Sequence, residues 1–260
     1  MDVLVSVTAA QAAAQAGASV VAAIEANPRL VLGVATGSSP LGIYEYVRGA
    51  IQAGLDVSGI TCFALDEYVG LPEGHPQSYH SVVAATVTQP WGLDPAQVHV
   101  PNGLSGQPRR AALDYEEAIV AAGGVDLQIV GIGANGHIGF NEPGSSLGSR
   151  TRVKTLHPRT REDNARFFDG DMDAVPIHCV TQGIGTILDA GRVLMIAGGS
   201  SKADAIAAMV EGPVSSGCPA SALQLHPHVD VYLDNGAALG LRHRDYYDFA
   251  AANADKVPGL

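Results

Sequence analysis

Short apolar runs alternate with helix-patterned stretches along this chain, and that alternation restricts its fold more than any other feature. Residues 30–34, 60–65, 126–130, 192–197 and 229–233 have the length and apolar continuity of strands buried on both faces. Between them, residues 8–25, 41–53, 77–87, 109–122, 184–190 and 201–211 carry helical patterns. The pattern predicts a single α/β domain over residues 1–260, an open, mainly parallel sheet with helices on both faces, Rossmann-like in outline. Unusual polar clusters follow four of the strands: Thr36-Gly37-Ser38-Ser39, Asp66-Glu67, residues 131–144 and residues 198–202. Ligands of open α/β sheets bind beyond the carboxyl ends of the strands, so these clusters are expected to converge on one crevice.

Charge narrows the function. Asp and Glu number 26 against 15 Lys and Arg, a formal net charge of −11. Nucleic-acid binding needs dense Lys and Arg, so it is not expected. An anionic ligand must instead be held by a few placed cations and backbone N–H groups. Cys62, Cys179 and Cys218 are odd in number and lack a C-x-x-C pair. They suggest a reducing, cytoplasmic setting with no disulfide framework and no zinc site. The first fifteen residues lack the basic start of a signal peptide, and no run of about 18 apolar residues suggests a membrane span.

The small residues of the 36–39 loop let backbone approach an anion, and its hydroxyls and following N–H groups suit a phosphate. A simple capped βα turn is the alternative, since Ser and Thr are favoured caps. Gly131-Ile132-Gly133-Ala134-Asn135-Gly136 matches G-x-G-x-x-G, but Pro143 interrupts any following helix and no acidic residue stands at dinucleotide spacing. Nicotinamide-cofactor binding is therefore rejected. Asn135, His137, Asn141 and Glu142 instead cluster within eight residues, and an imidazole beside a carboxylate makes an acid–base pair. Asp66 and Glu67 lie at a strand end where a carboxylate can be desolvated into a general base, and strand alternation lets only one of them face the crevice. Lys202, at a helix start, is unfavourable to the helix dipole unless an anion lies nearby; an exposed lysine is the alternative. His75, His80, His226 and His228 lack accompanying ligands at metal spacing, so no metal is expected. Residues 157–176 are polar, with little apolar periodicity, and suit an active-site lid or a mobile surface helix.

Taken together, residues 32–42, 65–72, 75–80, 131–154, 164–168 and 223–226 resemble the glucosamine-6-phosphate deaminase family along nearly the whole chain. The resemblance implies a sugar-phosphate isomerase type of fold. It also implies conversion of D-glucosamine 6-phosphate and water to D-fructose 6-phosphate and ammonia without an organic cofactor. His137, assisted by Glu142, would open the pyranose ring, and Asp66 would move a proton from C-2 to C-1 through an enediol-type intermediate. Thr36, Gly37, Ser38, Ser39, Arg166 and Lys202 would hold the phosphate. Asn135 departs from the Asp of many family members; its amide oxygen can orient His137 but brings no charge. Allosteric members are hexamers activated by N-acetylglucosamine 6-phosphate, and their effector positions match Ser145, Ser146, Arg152 and Lys154. Other members are monomeric and unregulated. Two further readings are a 6-phosphogluconolactonase, which lacks the Asn141-Glu142-Pro143-Gly144 continuation, and a non-catalytic sugar-phosphate sensor.

Overall fold

The computed structural model describes residues 1–104 and 106–256. Its first half contains β1 (Asp2–Ser6), α1 (Ala9–Ala26), β2 (Val31–Val34), α2 (Leu41–Gln52), β3 (Thr61–Ala64), β4 (Asp66–Tyr68), α3 (Tyr79–Val83), α4 (Gln89–Trp91), β5 (Val98–His99) and α5 (Pro108–Ala121). There follow β6 (Leu127–Val130), β7 (Arg152–Thr155), α6 (Pro158–Ala165), β8 (His178–Thr181), α7 (Ile184–Leu188), β9 (Arg192–Ala197), α8 (Ala203–Val210), β10 (Val229–Asp234) and α9 (Arg244–Ala251).

Seven strands form the main sheet in the order β1-β10-β9-β6-β2-β3-β5, every neighbour parallel. Its middle strands are apolar without alternation because helices cover both faces; Leu32, Ile129 and Leu194 are fully buried. Thr8 starts α1 with a capping box: its hydroxyl accepts from the Gln11 N–H, and the Gln11 side chain accepts from the Thr8 N–H. Ala12, Ala16, Val20 and Ile24 then form the stripe that α1 buries. From β2 the chain proceeds to β3 on one side, and later returns to β6 on the other. The order therefore reverses between β2 and β6, and the loops leaving these two strands open into a shared crevice.

A second sheet, in the order β4-β8-β7, is antiparallel. The sequence reading did not anticipate it. Asp66-Glu67-Tyr68 was expected to finish the β3 strand; the chain instead turns at Leu65 and starts β4 in the second sheet. Residues 157–176, for which an irregular lid and a surface helix were both expected readings, contain a helix, α6, capped by the His157 ring, which accepts from the Arg159 N–H. Arg161 ties α6 to the returning chain through the carbonyls of Val175 and Met172. Phe168 packs into a small apolar cluster with Tyr68, Phe140 and Leu156. The helix expected over 77–87 is α3, a wider π turn at Ala84–Thr88, and α4. Pro90 has no N–H to continue a regular ladder there. The helix expected over 201–211 begins with a 3₁₀ turn, Ser200–Lys202, before α8. Among the described residues no helix is long and apolar enough to cross a membrane.

Candidate active site

A cavity of about 430 Å³ opens at the carboxyl end of the main sheet. Thr36, Gly37, Ser38, Ser39, Asp66, His137, Arg166 and Lys202 all line it, so polar clusters separated in sequence do meet. Asn135 and Glu142 stand behind His137 rather than at the cavity wall.

The 36–39 loop leaves β2 and enters α2 at Pro40 with no side-chain cap. The capped-turn alternative therefore fails, and the N-terminal end of α2 opens on the cavity beside Leu41. A 12-residue helix presents unpaired N–H groups and a positive dipole end there. In the same lining, Lys202 is half-buried and Arg166 is exposed, its guanidinium 4.7 Å above the Phe167 ring. Desolvation lowers the Lys202 pKa, Asp163 opposes that, and the Arg166 charge lowers it further. The two cations are thus close enough to repel, which favours an anion between them.

Asp66 is 4% exposed. Burial pushes its carboxyl up to about 8; the neighbouring Glu67 charge adds to this, and the Phe140 N–H opposes it. Glu67 is equally buried but faces elsewhere. Its Oε1 accepts from the N–H groups of Tyr68 and Tyr79, and its Oε2 accepts from that of His80. Glu67 therefore holds the first turn of α3, and Asp66 alone of the pair lines the cavity.

Two glycines allow the close packing around these groups. A Cβ on Gly133 would lie 2.2 Å from the His137 ring, so the second glycine of G-x-G makes room for the imidazole. Gly139 has φ +52°, and a Cβ there would lie 3.3 Å from Asp66 Oδ2. The loop carrying His137 thus passes directly over the Asp66 carboxylate. His137 Nδ1 lies 3.7 Å from Glu142 Oε2, beyond hydrogen-bond length, and has no hydrogen-bond partner among the described residues. Desolvation lowers the His137 pKa, Glu142 raises it, Lys202 lowers it and Asp163 raises it. The ring is accordingly neutral at neutral pH, with a carboxylate in place to stabilise its charged form.

Asn135 does not orient the imidazole. Its amide oxygen accepts from the His137 backbone N–H at 3.2 Å, and its Nδ2 donates to Glu142 Oε2 at 2.9 Å. The His157 N–H binds the other Glu142 oxygen. An Asp at 135 would offer Glu142 a like charge where Asn offers a donor.

The matching effector positions lie outside the cavity lining. Ser145 is buried, its hydroxyl without a partner among the described residues, Ser146 is exposed, and Arg152 and Lys154 are half-buried on β7. The sequence reading missed Thr160, Asp163 and Asn164, which line the cavity from one face of α6 at i, i+3, i+4. Pro158 at the first helical position was the available signal for that helix. His226 is buried, its Nε2 2.7 Å from the Ala190 carbonyl, and its Nδ1 accepts from the His228 N–H; it serves the core.

Fold and site together define an α/β protein of sugar-phosphate-enzyme type, whose cavity is lined by a desolvated carboxylate, an imidazole and two cations. Comparison with known proteins gives the family. The glucosamine-6-phosphate isomerases/6-phosphogluconolactonase model matches residues 5–232, and the chain belongs to that family. It is 53% identical to the glucosamine-6-phosphate deaminase of Bifidobacterium longum (strain NCC 2705), covering 100% of this chain and 99% of that one. It is also 53% identical to the deaminase of Arthrobacter sp. (strain FB24), covering 95% of each. A solved structure described as a monomeric glucosamine-6-phosphate deaminase superposes with a TM-score of 0.90 at 40% identity, covering 93% of this chain and 100% of that one. The 6-phosphogluconolactonase from Leishmania guyanensis, at 21% identity and TM-score 0.75, shares the fold.

The Asp66 shift has a consequence for stability. Its folded-state pKa of about 8 lies above the ordinary value of about 3.9. Below the ordinary value the carboxyl is neutral in both states. Between the two values the unfolded chain is ionised while the folded one keeps its proton, so stability falls as pH rises and levels off above the folded pKa. Asp66→Asn removes this dependence. The variant's gain in Tm over the parent is expected to grow by several degrees, about 3 °C or more, between pH 4.5 and pH 8.5. A pH-independent difference in thermal melts would show that Asp66 is not desolvated.

Proposed function

We propose that the chain is a glucosamine-6-phosphate deaminase acting in the cytoplasm. The observation that carries this reading is one cavity lined by Asp66 and by His137, with Glu142 behind the imidazole, together with Arg166, Lys202 and the 36–39 loop. The 53% identity to deaminases over the whole chain supports it. The balanced reaction is D-glucosamine 6-phosphate plus water giving D-fructose 6-phosphate plus ammonia.

In this reading the phosphate is held by the 36–39 loop, Arg166 and Lys202, so an acidic protein binds an anion through local donors. His137, neutral before reaction, takes the proton of the C-1 hydroxyl and delivers one to the ring oxygen. The C-1 to ring-oxygen bond breaks and C-1 becomes an aldehyde. Glu142 stabilises the transient imidazolium, and Asn135 fixes Glu142. Asp66, in its ionised form, then removes the C-2 proton while the substrate's C-2 ammonium passes a proton to the C-1 oxygen, giving an enolamine, and Asp66 returns its proton to C-1. The imine left at C-2 adds water and releases ammonia. Residues 157–176 act as the lid over this chemistry, with α6 as its moving part.

The proposal has a regulatory part. Ser145, Ser146, Arg152 and Lys154 form an effector site for N-acetylglucosamine 6-phosphate in a homo-oligomer, a hexamer as in the allosteric members the sequence resembles. Arg152 and Lys154 share one face of β7, and the Ser145 hydroxyl is an unused donor. The solved deaminase at 40% identity, described as monomeric, represents the opposite outcome.

The direct test is an assay for ammonia and ketose 6-phosphate from glucosamine 6-phosphate. Turnover is expected, and Asp66→Asn is expected to lose several orders of magnitude of kcat with modest change in ligand binding. Hydrolysis of 6-phosphogluconolactone without ammonia release would overturn the assignment. Run with added N-acetylglucosamine 6-phosphate and alongside sedimentation, the same assay decides the regulatory part: a monomer with hyperbolic, effector-blind kinetics removes it. Arg166→Ala and Lys202→Ala are each expected to raise KM by tenfold or more, about 1.4 kcal/mol, with smaller effects on kcat. An unchanged KM removes that residue from phosphate recognition.

A further inference from the structure

Arg152 is a half-buried cation with an unusual environment. None of the ion pairs among the described residues involves it, and burial lowers its pKa. Cations withdrawn from water ordinarily keep an acidic partner. The short contact of this guanidinium is instead to a neutral amide: Nη1 donates to Asn141 Oδ1 at 2.7 Å, with a longer contact to the Arg150 carbonyl at 3.4 Å.

Asn141 is fully buried, and each polar atom of its side chain is engaged. Its Nδ2 donates to the carbonyls of Ile138 and Gln182, at 2.9 and 2.8 Å. Its backbone N–H also donates to the Ile138 carbonyl. These bonds close the turn between His137 and Glu142. The bond to Gln182 extends further, because the Gln182 backbone N–H donates to the Leu65 carbonyl and its side chain to the Ala64 carbonyl. Leu65 precedes Asp66. A continuous chain of hydrogen bonds therefore runs from β7, through Asn141, to the backbone that carries Asp66.

We propose that Arg152 and Asn141 are positioning residues for the acid–base site: Arg152 anchors Asn141, and Asn141 sets the His137–Glu142 spacing and its register with Asp66. This rests on the deaminase reading for its kinetic consequences. Arg152 does not line the cavity, so it acts without touching substrate. Removing it leaves the buried Asn141 oxygen unpaired, and the turn relaxes to satisfy it. Displacements of about 1 Å in such a site cost on the order of 10²-fold in rate.

The test uses the full-length chain with Arg152→Ala and Arg152→Lys. Arg152→Ala is expected to lower kcat by about 30- to 100-fold with KM within about twofold. Guanidinium chloride at tens of millimolar should restore much of that kcat, while sodium chloride at equal ionic strength should not. Arg152→Lys offers a mobile single donor in place of the planar fork and should lose about tenfold. A second measurement is independent of turnover: the His137 ring titration followed by NMR. Glu142 is the charge that most raises the His137 pKa, and Arg152 is not among the charges acting on it. A relaxed turn therefore lowers the His137 midpoint, whereas loss of a distant charge leaves it in place. Unchanged kcat and midpoint in a variant with parental circular dichroism overturn the proposal, as does a loss carried by KM. A parent chain that releases no ammonia refutes the deaminase reading, and the NMR titration then decides the positioning roles by itself.

Discussion

The site depends on keeping water from one carboxylate. Asp66 stands where the main sheet gives way to the second one, and that change of sheet buries it. Val34 binds Leu65 on one side, the Gln182 N–H binds Leu65 on the other, and Gly139 brings the His137 loop against the Asp66 oxygens. A carboxylate so enclosed is a stronger base than one in water, because ionisation no longer gains full hydration. Glu67 next to it would be a second costly charge, and three backbone N–H groups, that of Tyr68 beside it and those of Tyr79 and His80 at the start of α3, compensate that cost. The two adjacent acids thus have separate tasks: burial makes one hold its proton up to a pH of about 8 and act as a strong base once ionised, and the other builds the helix that helps enclose it.

The imidazole is tuned by the same means with opposite sign. Burial favours neutral His137, while Glu142 stands ready to stabilise its charged form. Asn135 contributes by donating to Glu142, so the departure at 135 leaves one ionic partner behind the ring rather than two. The cations Arg166 and Lys202 line the same cavity. The overall net charge of −11 therefore does not describe the cavity, where local groups set the potential.

Much of this was legible in the sequence. Buried parallel strands are apolar without alternation, so β2, β3, β6, β9 and β10 declared themselves, and the polar clusters after them marked the crevice. The second sheet did not. Its strands have three or four residues, and β7 pairs with β8 in an antiparallel register that no local pattern encodes. The choice between Asp66 and Glu67 was likewise closed to sequence, since it is decided by N–H groups twelve and thirteen residues away. Asn135 was expected to reach the imidazole, yet its amide turns to Glu142, seven residues on. The polar stripe of α6 was hidden because a helix with almost no apolar face gives no hydrophobic period, leaving Pro158 and the His157 cap as its signals.

The central claim is that Asp66 is a desolvated carboxylate in the free protein. Its ionisation can be read directly from carboxyl ¹³C NMR, by subtracting the Asp66→Asn spectrum from the parent's across a pH titration. A midpoint near 8 is the predicted result. A midpoint in the ordinary aspartate range, at about 4, would contradict it, for the carboxylate would then be hydrated and the enclosure described here would not exist.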